Sequence, residues 1–186
     1  RVSTQDLRRP VGSSQPLSLT ITGGEHGHIA GRNGSGKSTL LKVLTGQLAT
    51  ASGRYSLHGH WRYLDQHLTL LNSVLPVVEA LCEFDPLVTA ESWRTRLGAL
   101  RIRGDKSLIP LEQLSGGEQL KVILLALTCS SPLPDILLLD EPDNHLDLDS
   151  RRLLEGVLKS YKGALLLVSH DEEFVNNCGV TQTLEL

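Results

Sequence analysis

Residues 31 to 38 read GRNGSGKS, eight positions that satisfy G-x-x-x-x-G-K-[ST] in full. That spacing suits phosphate. Gly31, Gly34 and Gly36 permit a backbone curled so that its N–H groups point inward at the β- and γ-phosphates of a nucleotide. Lys37 adds a positive charge and Ser38 a hydroxyl for Mg2+. Arg32, Asn33 and Ser35 complete the loop, and Thr39 follows in a helix start whose dipole adds to the attraction. About a hundred residues on, ILLLDEP ends an apolar run in Asp140 and Glu141. Asp140 can hold the magnesium, directly or through a water. Glu141 can orient and polarise a water for attack on the γ-phosphate, which favours hydrolysis over simple binding. In the stretch LEQLSGGEQLKVILLAL, Ser115, Gly116 and Gly117 precede a helical run, so a hydroxyl and exposed N–H groups sit at a helix start. This is a second phosphate-binding surface, although Ser-Gly-Gly alone is more often a plain helix cap.

These residues need a frame. LSLTI (17–21) and HGHIAG (26–31) read as strands before the glycine loop, and the helix from Lys37 to Gln47 carries Leu40, Leu41, Val43 and Leu44 at helical spacing. GRYSLHG and HWRYLDQ read as the next strands. LLNSVLPVVEALCEF and TAESWRTRLGALRI are helical in pattern, punctuated by Pro76, Pro86 and Pro110. Residues of about 67 to 130 form a helical insertion. DILLLDEP and GALLLVSH are continuous apolar runs, as strands buried on both faces of a parallel sheet require, and a helical stretch from Leu148 to Tyr161 separates them. The alternation predicts an α/β core with its site at the carboxyl ends of the strands.

At 186 residues the chain suits one domain with a small appended subdomain. A net charge of −3 with 21% charged residues implies neither nucleic acid nor membrane as a partner. Cys82, Cys129 and Cys178 are odd in number and widely spaced, which predicts reduced structural cysteines and a cytoplasmic setting. No apolar run approaches the ~18 residues of a membrane span. The sequence contains no methionine and begins RVSTQDLRRP, so it reads as a piece of a longer protein.

GRNGSGKST, LSGGEQ, LLLDEPDNHLD and LLLVSHDEEF, in that order, resemble the ATP-binding cassette (ABC) ATPases, and the resemblance covers nearly the whole chain. It implies a P-loop NTPase of ABC type, with a mixed, mostly parallel core sheet (1–66 and 131–186) and a helical subdomain (about 67–130). It also implies an ATPase dependent on Mg2+. Gln66 in YLDQH matches the glutamine that contacts Mg2+ and the attacking water. Asp147 in NHLD matches the loop that crosses a dimer interface, and His170 in VSHD matches the switch histidine that reaches the γ-phosphate. The implied catalytic set is therefore Glu141, His170 and Gln66, and the metal set Ser38, Asp140 and Gln66. ATP would be held by residues 31–39 of one cassette and by Ser115, Gly116, Gly117 and Asp147 of another, supplied by the same full-length chain or by a homodimer.

DEPDNHLD with YKGALLLVSHDEEFV is most similar to the ABC-F class, cytosolic proteins with two cassettes and no transmembrane domain that act on ribosomes in translation. The alternative is the nucleotide-binding subunit of an ABC membrane transporter, and a non-hydrolysing regulatory cassette is disfavoured by intact Glu141 and His170. Two features depart from the pattern. Most members carry threonine or serine where Asp143 stands, and no aromatic residue precedes Tyr55 to stack on adenine. WRTRLGALRIRGDK groups Arg94, Arg96, Arg101, Arg103 and Lys106 around Trp93. It could meet ribosomal RNA phosphate, or be a solvated face whose arginine stems cover apolar surface.

Overall fold

The computed structural model describes residues 1–8, 10 and 16–186, which divide into two compact units. The first comprises Arg1–Gln66, Pro134–Asn144 and Glu155–Leu186, and the second His67–Leu133 and His145–Leu154.

The first unit holds two sheets. β1 (Val2–Arg8), β2 (Leu17–Ile21) and β4 (Ser52–Leu57) form an antiparallel sheet in the order β2-β1-β4. β3 (His26–Ala30), β5 (Trp61–Leu64), β6 (Ile136–Asp140), β7 (Ala164–Val168) and β8 (Gln182–Glu185) form a sheet in the order β5-β6-β7-β3-β8, in which every pair is parallel. The antiparallel pairs thus gather in a sheet of their own. The two patterns follow from composition: β2 alternates buried and exposed positions, whereas ILLLD and ALLLV are buried at all five positions each.

Helix α1 (Lys37–Leu44) completes that core. Leu40, Leu41, Val43 and Leu44 pack in one cluster with Val2, Leu7, Leu19 and Ile21 of the antiparallel sheet and Ile29, Leu138, Leu166 and Val168 of the parallel one. Burying a leucine in this way contributes about 1.5–3 kcal/mol relative to leaving it in water, so the helix beside the phosphate loop is anchored in the core of the unit. Register fixes what meets at the strand ends: Leu64 pairs with Leu139, and Asp140 with Val168.

The second unit is helical. α2 (Val77–Phe84), α3 (Ala90–Ala99) and α4 (Gly116–Cys129) pack around Trp93, with Val77, Leu81, Leu97, Leu111, Val122 and Ala126. Thr89 caps α3 by accepting from the Ser92 N–H, and Ser115 caps α4. The sequence reading gave all of 131–186 to the core, but residues 131–133 and 145–154 group with the helices. The physical reason is local. The buried carboxylate of Asp85 accepts from the Ser131 N–H at 2.5 Å. In the other segment the Ser150 hydroxyl lies 3.1 Å from where a Cβ on Gly117 would be, so α4 and residues 145–154 approach closely at that glycine. α5 (Leu148–Ser160) begins in this unit and ends in the first. α6 (Glu172–Asn177) belongs to the first, with Asp171 capping it by accepting from the Phe174 N–H at 2.9 Å.

Candidate nucleotide site

The glycine loop leaves the carboxyl end of β3 and enters α1 through three left-handed residues: Gly31 (φ 146°), Gly34 (φ 80°) and Gly36 (φ 95°), the last serving as N-cap. Such angles cost any other residue dearly. At Gly31 space is also closed, since a Cβ there would stand 2.6 Å from the Leu186 carbonyl and 2.8 Å from Ser35 Oγ. The first N–H groups of α1 have no intrahelical partners, and no acid stands in its first turn to satisfy them. Lys37 is folded back over the loop, buried, with Nζ donating to the carbonyls of Gly31 (2.9 Å) and Arg32 (3.1 Å). An ammonium has three donors, so two hold the loop in shape and the third remains for an anion. Asn33, Gly34, Gly36, Lys37, Ser38, Thr39 and Glu141 line a cleft of about 210 Å³.

Beneath the loop, Ser38 Oγ donates to Asp140 Oδ1 at 2.9 Å and Tyr63 Oη to Asp140 Oδ2 at 3.2 Å. Burial pushes the Asp140 carboxyl above its ordinary value, an effect opposed by the Ser38 and Tyr63 bonds and reinforced by the charge of Glu141. Burial likewise raises the Tyr63 phenol, and the negative Asp140 raises it further. Tyr63 is a site residue that sequence reasoning missed. It pairs with Leu138 in the ladder, so it shares a face with Asp140 two residues on and reaches it diagonally. Only knowledge that β5 neighbours β6 could have found it.

Glu141 adopts φ 49°, a left-handed conformation uncommon outside glycine, and its N–H donates to the Val168 carbonyl at 2.8 Å. The turn swings its carboxylate toward the loop. Oε2 accepts from Asn144 Nδ2 at 2.7 Å, and Oε1 lies 3.3 Å from His170 Nε2. His170 follows β7 and is held from behind. Ser169 Oγ donates to Asp143 Oδ2 (3.0 Å) and accepts from the Asp171 N–H (3.1 Å), while the His28 ring donates to the Ser169 carbonyl (3.0 Å). A phosphate loop, a hydroxyl–carboxylate pair able to share a hard cation, and a carboxylate backed by a histidine therefore meet at one strand-end cleft. That arrangement can bind a phosphate chain and aim a water at its end.

The structure brings Lys37, Ser38, Asp140, Glu141 and His170 together in the first unit. Gln66 is exposed two residues past the end of β5. Ser115, Gly116, Gly117 and Asp147 lie in the second unit. Asp147 caps α5 there, accepting from the Ser150 N–H at 2.7 Å, a bond that holds its carboxyl below the usual range. The basic stretch is largely engaged within its own unit. Arg96 lies over Trp93 at 5.1 Å and donates to the Cys129 carbonyl, Arg103 donates to the Gly98 carbonyl, and Lys106 pairs with Glu118.

The sequence matches the family model described as ABC transporter over residues 14–144. The chain belongs to the ABC transporter family. Relatives of this ATP-binding cassette include the Bacillus subtilis (strain 168) protein YdiF, 40% identical over 98% of this chain and 29% of that protein. ATP-binding cassette sub-family F member 3 of Homo sapiens is 38% identical over 79% of this chain and 21% of that protein. The human relative is by name a sub-family F member, the class that the motifs resemble. The chain spans less than a third of the length of either one. The fold is shared with the ATP-binding cassette MJ0796, solved as a dimer in a post-hydrolysis state bound to ADP and Pi. That comparison gives a TM-score of 0.75 with 21% identity, covering 100% of this chain and 94% of that one. Among the described residues no helix is long and apolar enough to cross a membrane.

Proposed function

We propose that this cassette hydrolyses MgATP in partnership with a second cassette, as one half of a cytoplasmic ABC-F-like ATPase that acts on the ribosome in translation. The observation that carries the hydrolytic part is the Glu141 carboxylate, which lines the phosphate cleft while Asn144 and His170 fix its two oxygens. A carboxylate so held can accept the proton of an attacking water without reorganising. Gln66 would add a contact to the metal and that water.

The donor set fits magnesium: a hydroxyl and a carboxylate whose oxygens are 2.9 Å apart, both hard ligands, leaving the remaining positions to phosphate oxygens and water. Bound there, Mg2+ would neutralise charge on the β- and γ-phosphate oxygens. Ser38 and Asp140 would hold it, and Lys37 would turn its third donor to the phosphates. The buried Ser35 hydroxyl lies in the same loop.

Pairing is supported by the dimeric state of the structurally similar cassette and by the LSGGEQ segment, whose Ser115, Gly116 and Gly117 would cover the γ-phosphate of the opposing cassette. Closure would be the ATP-bound state of a two-state equilibrium, and hydrolysis would reopen it. The ribosome is proposed as the partner on the strength of the ABC-F relatives. The test is ATP turnover by the full-length protein with and without ribosomes. Stimulation by ribosomes supports the proposal. Indifference to ribosomes, with stimulation by a membrane protein partner, would make this a transporter subunit instead.

A further inference from the structure

In the second unit, the Ser115 hydroxyl and N–H both donate to Oε2 of Glu118, at 3.0 and 3.2 Å, and the Glu118 N–H donates back to Ser115 Oγ at 3.3 Å. This is a reciprocal capping box at the start of α4, the S-x-x-E spacing visible in LSGGE. It orients the Ser115 side chain. It also places a full negative charge beside the hydroxyl that, on the proposed function, must turn its one proton to the γ-phosphate of an opposing cassette, leaving Glu118 bonded through the Ser115 N–H. A glutamine would orient the serine equally well without charge, since its amide oxygen accepts the same bonds.

Here the charge has a partner. Glu118 Oε1 pairs with Lys106, which stands in the short helical turn Gly104–Ser107 of the same unit. The lysine and the Ser115 bonds hold the Glu118 carboxyl below its ordinary range, so the acid is ionised. Lys106 is 54% exposed, and a pair so open to solvent adds little to folding stability. Its effect appears when a second anion approaches, because like charges brought together at an interface oppose association unless one of them is neutralised.

We propose that Lys106 is a positioning residue of the inter-cassette ATP site: by neutralising Glu118, it allows the acid that orients Ser115 to stand against the γ-phosphate of the opposing cassette. The proposal rests on the two-cassette reading above, and it predicts epistasis of a definite sign. Removing the lysine harms closure, and removing the charge on Glu118 as well repairs it.

The experiment measures release of radiolabelled ATP from the full-length protein carrying Glu141→Gln. Lys106→Ala should speed release by about tenfold, while the thermal midpoint falls only by the small margin of an exposed pair. Lys106→Arg should not, and adding Glu118→Gln to Lys106→Ala should return release to within about twofold of the parent. A merely structural role for Lys106 would not be repaired by a change at Glu118. Unchanged release in Lys106→Ala, or a double variant as fast as the single one, overturns the proposal. If the Glu141→Gln parent itself traps no ATP, the two-cassette reading has failed rather than the role of Lys106.

Discussion

Ser169 Oγ donates to the Asp143 carboxylate at 3.0 Å, tying the loop after β6 to the loop after β7 one residue before His170. Asp143 stands where the class usually carries threonine or serine, and in this chain its carboxylate holds the histidine loop in place. Loss of a hydrogen bond to a charged group costs about 1.5–3 kcal/mol, so Asp143→Ala should loosen His170. Turnover is expected to fall about tenfold with little change in KM, and Asp143→Thr should recover most of it. Steady-state kinetics on the three proteins checks this, and an Asp143→Ala enzyme with unaltered kcat would leave the bond without a role in catalysis.

Lys37 contributes the charge, and also clamps the loop through Gly31 and Arg32. Lys37→Ala therefore removes a phosphate contact and relaxes the loop together. Affinity for MgATP should drop by at least about tenfold, the scale of one charge-assisted bond. Titration with a fluorescent ATP analogue measures it, and unchanged affinity would mean that the nucleotide binds elsewhere.

Glu141→Gln keeps the shape at the left-handed turn and can still meet Asn144, but it cannot take a proton. ATP binding should persist while turnover falls by about a hundredfold or more. Single-turnover hydrolysis near the parental rate would remove Glu141 from the role of base.

The strands that carry Asp140 and His170 were legible because ILLLD and ALLLV leave no polar face, and the helix after the loop because its leucines recur at helical spacing. β1 was not. VSTQDLR is polar at five of its seven positions, its register shifts beside Asp6 at φ 47°, and its burial follows from pairing with β2 and β4 rather than from its own pattern. β8 hid for a related reason, as an edge strand of alternating partial burial. At the site, single residues with fixed motif spacing could be read, whereas Tyr63 on Asp140 and Ser169 on Asp143 depend on which strands are neighbours, information that lies in the fold. The grouping of residues 145–154 with the helical unit has the same origin, since the close approach of Ser150 to Gly117 is set by the fold rather than by neighbouring sequence.

Acid should act on the capping box in a definite direction. Glu118 has its pKa lowered in the folded state, chiefly by the Lys106 hydrogen bond and then by Ser115, so its contribution is present above the unfolded value of 4.5 and is lost as pH falls through the folded one. The parent should exceed Glu118→Gln in thermal midpoint by a small margin at pH 7, because the pair is exposed, and the margin should vanish in acid. Thermal melts across pH 3 to 7 (about four units) test this. A margin that grows toward low pH would contradict the assignment.

The two-cassette mechanism draws the Ser115 of a closed site from a second cassette, opposite the Lys37 and Glu141 of this one. ATP turnover per chain, measured against chain concentration and with the second cassette added, tests it most directly. Turnover should be low at dilution and rise either with concentration or when the second cassette is supplied. Ser115→Arg should abolish that rise while the protein still binds ATP in its own loop. Hydrolysis by demonstrably monomeric chain at a concentration-independent rate of about 1 s⁻¹ or more, the scale of a working enzyme, would contradict the account.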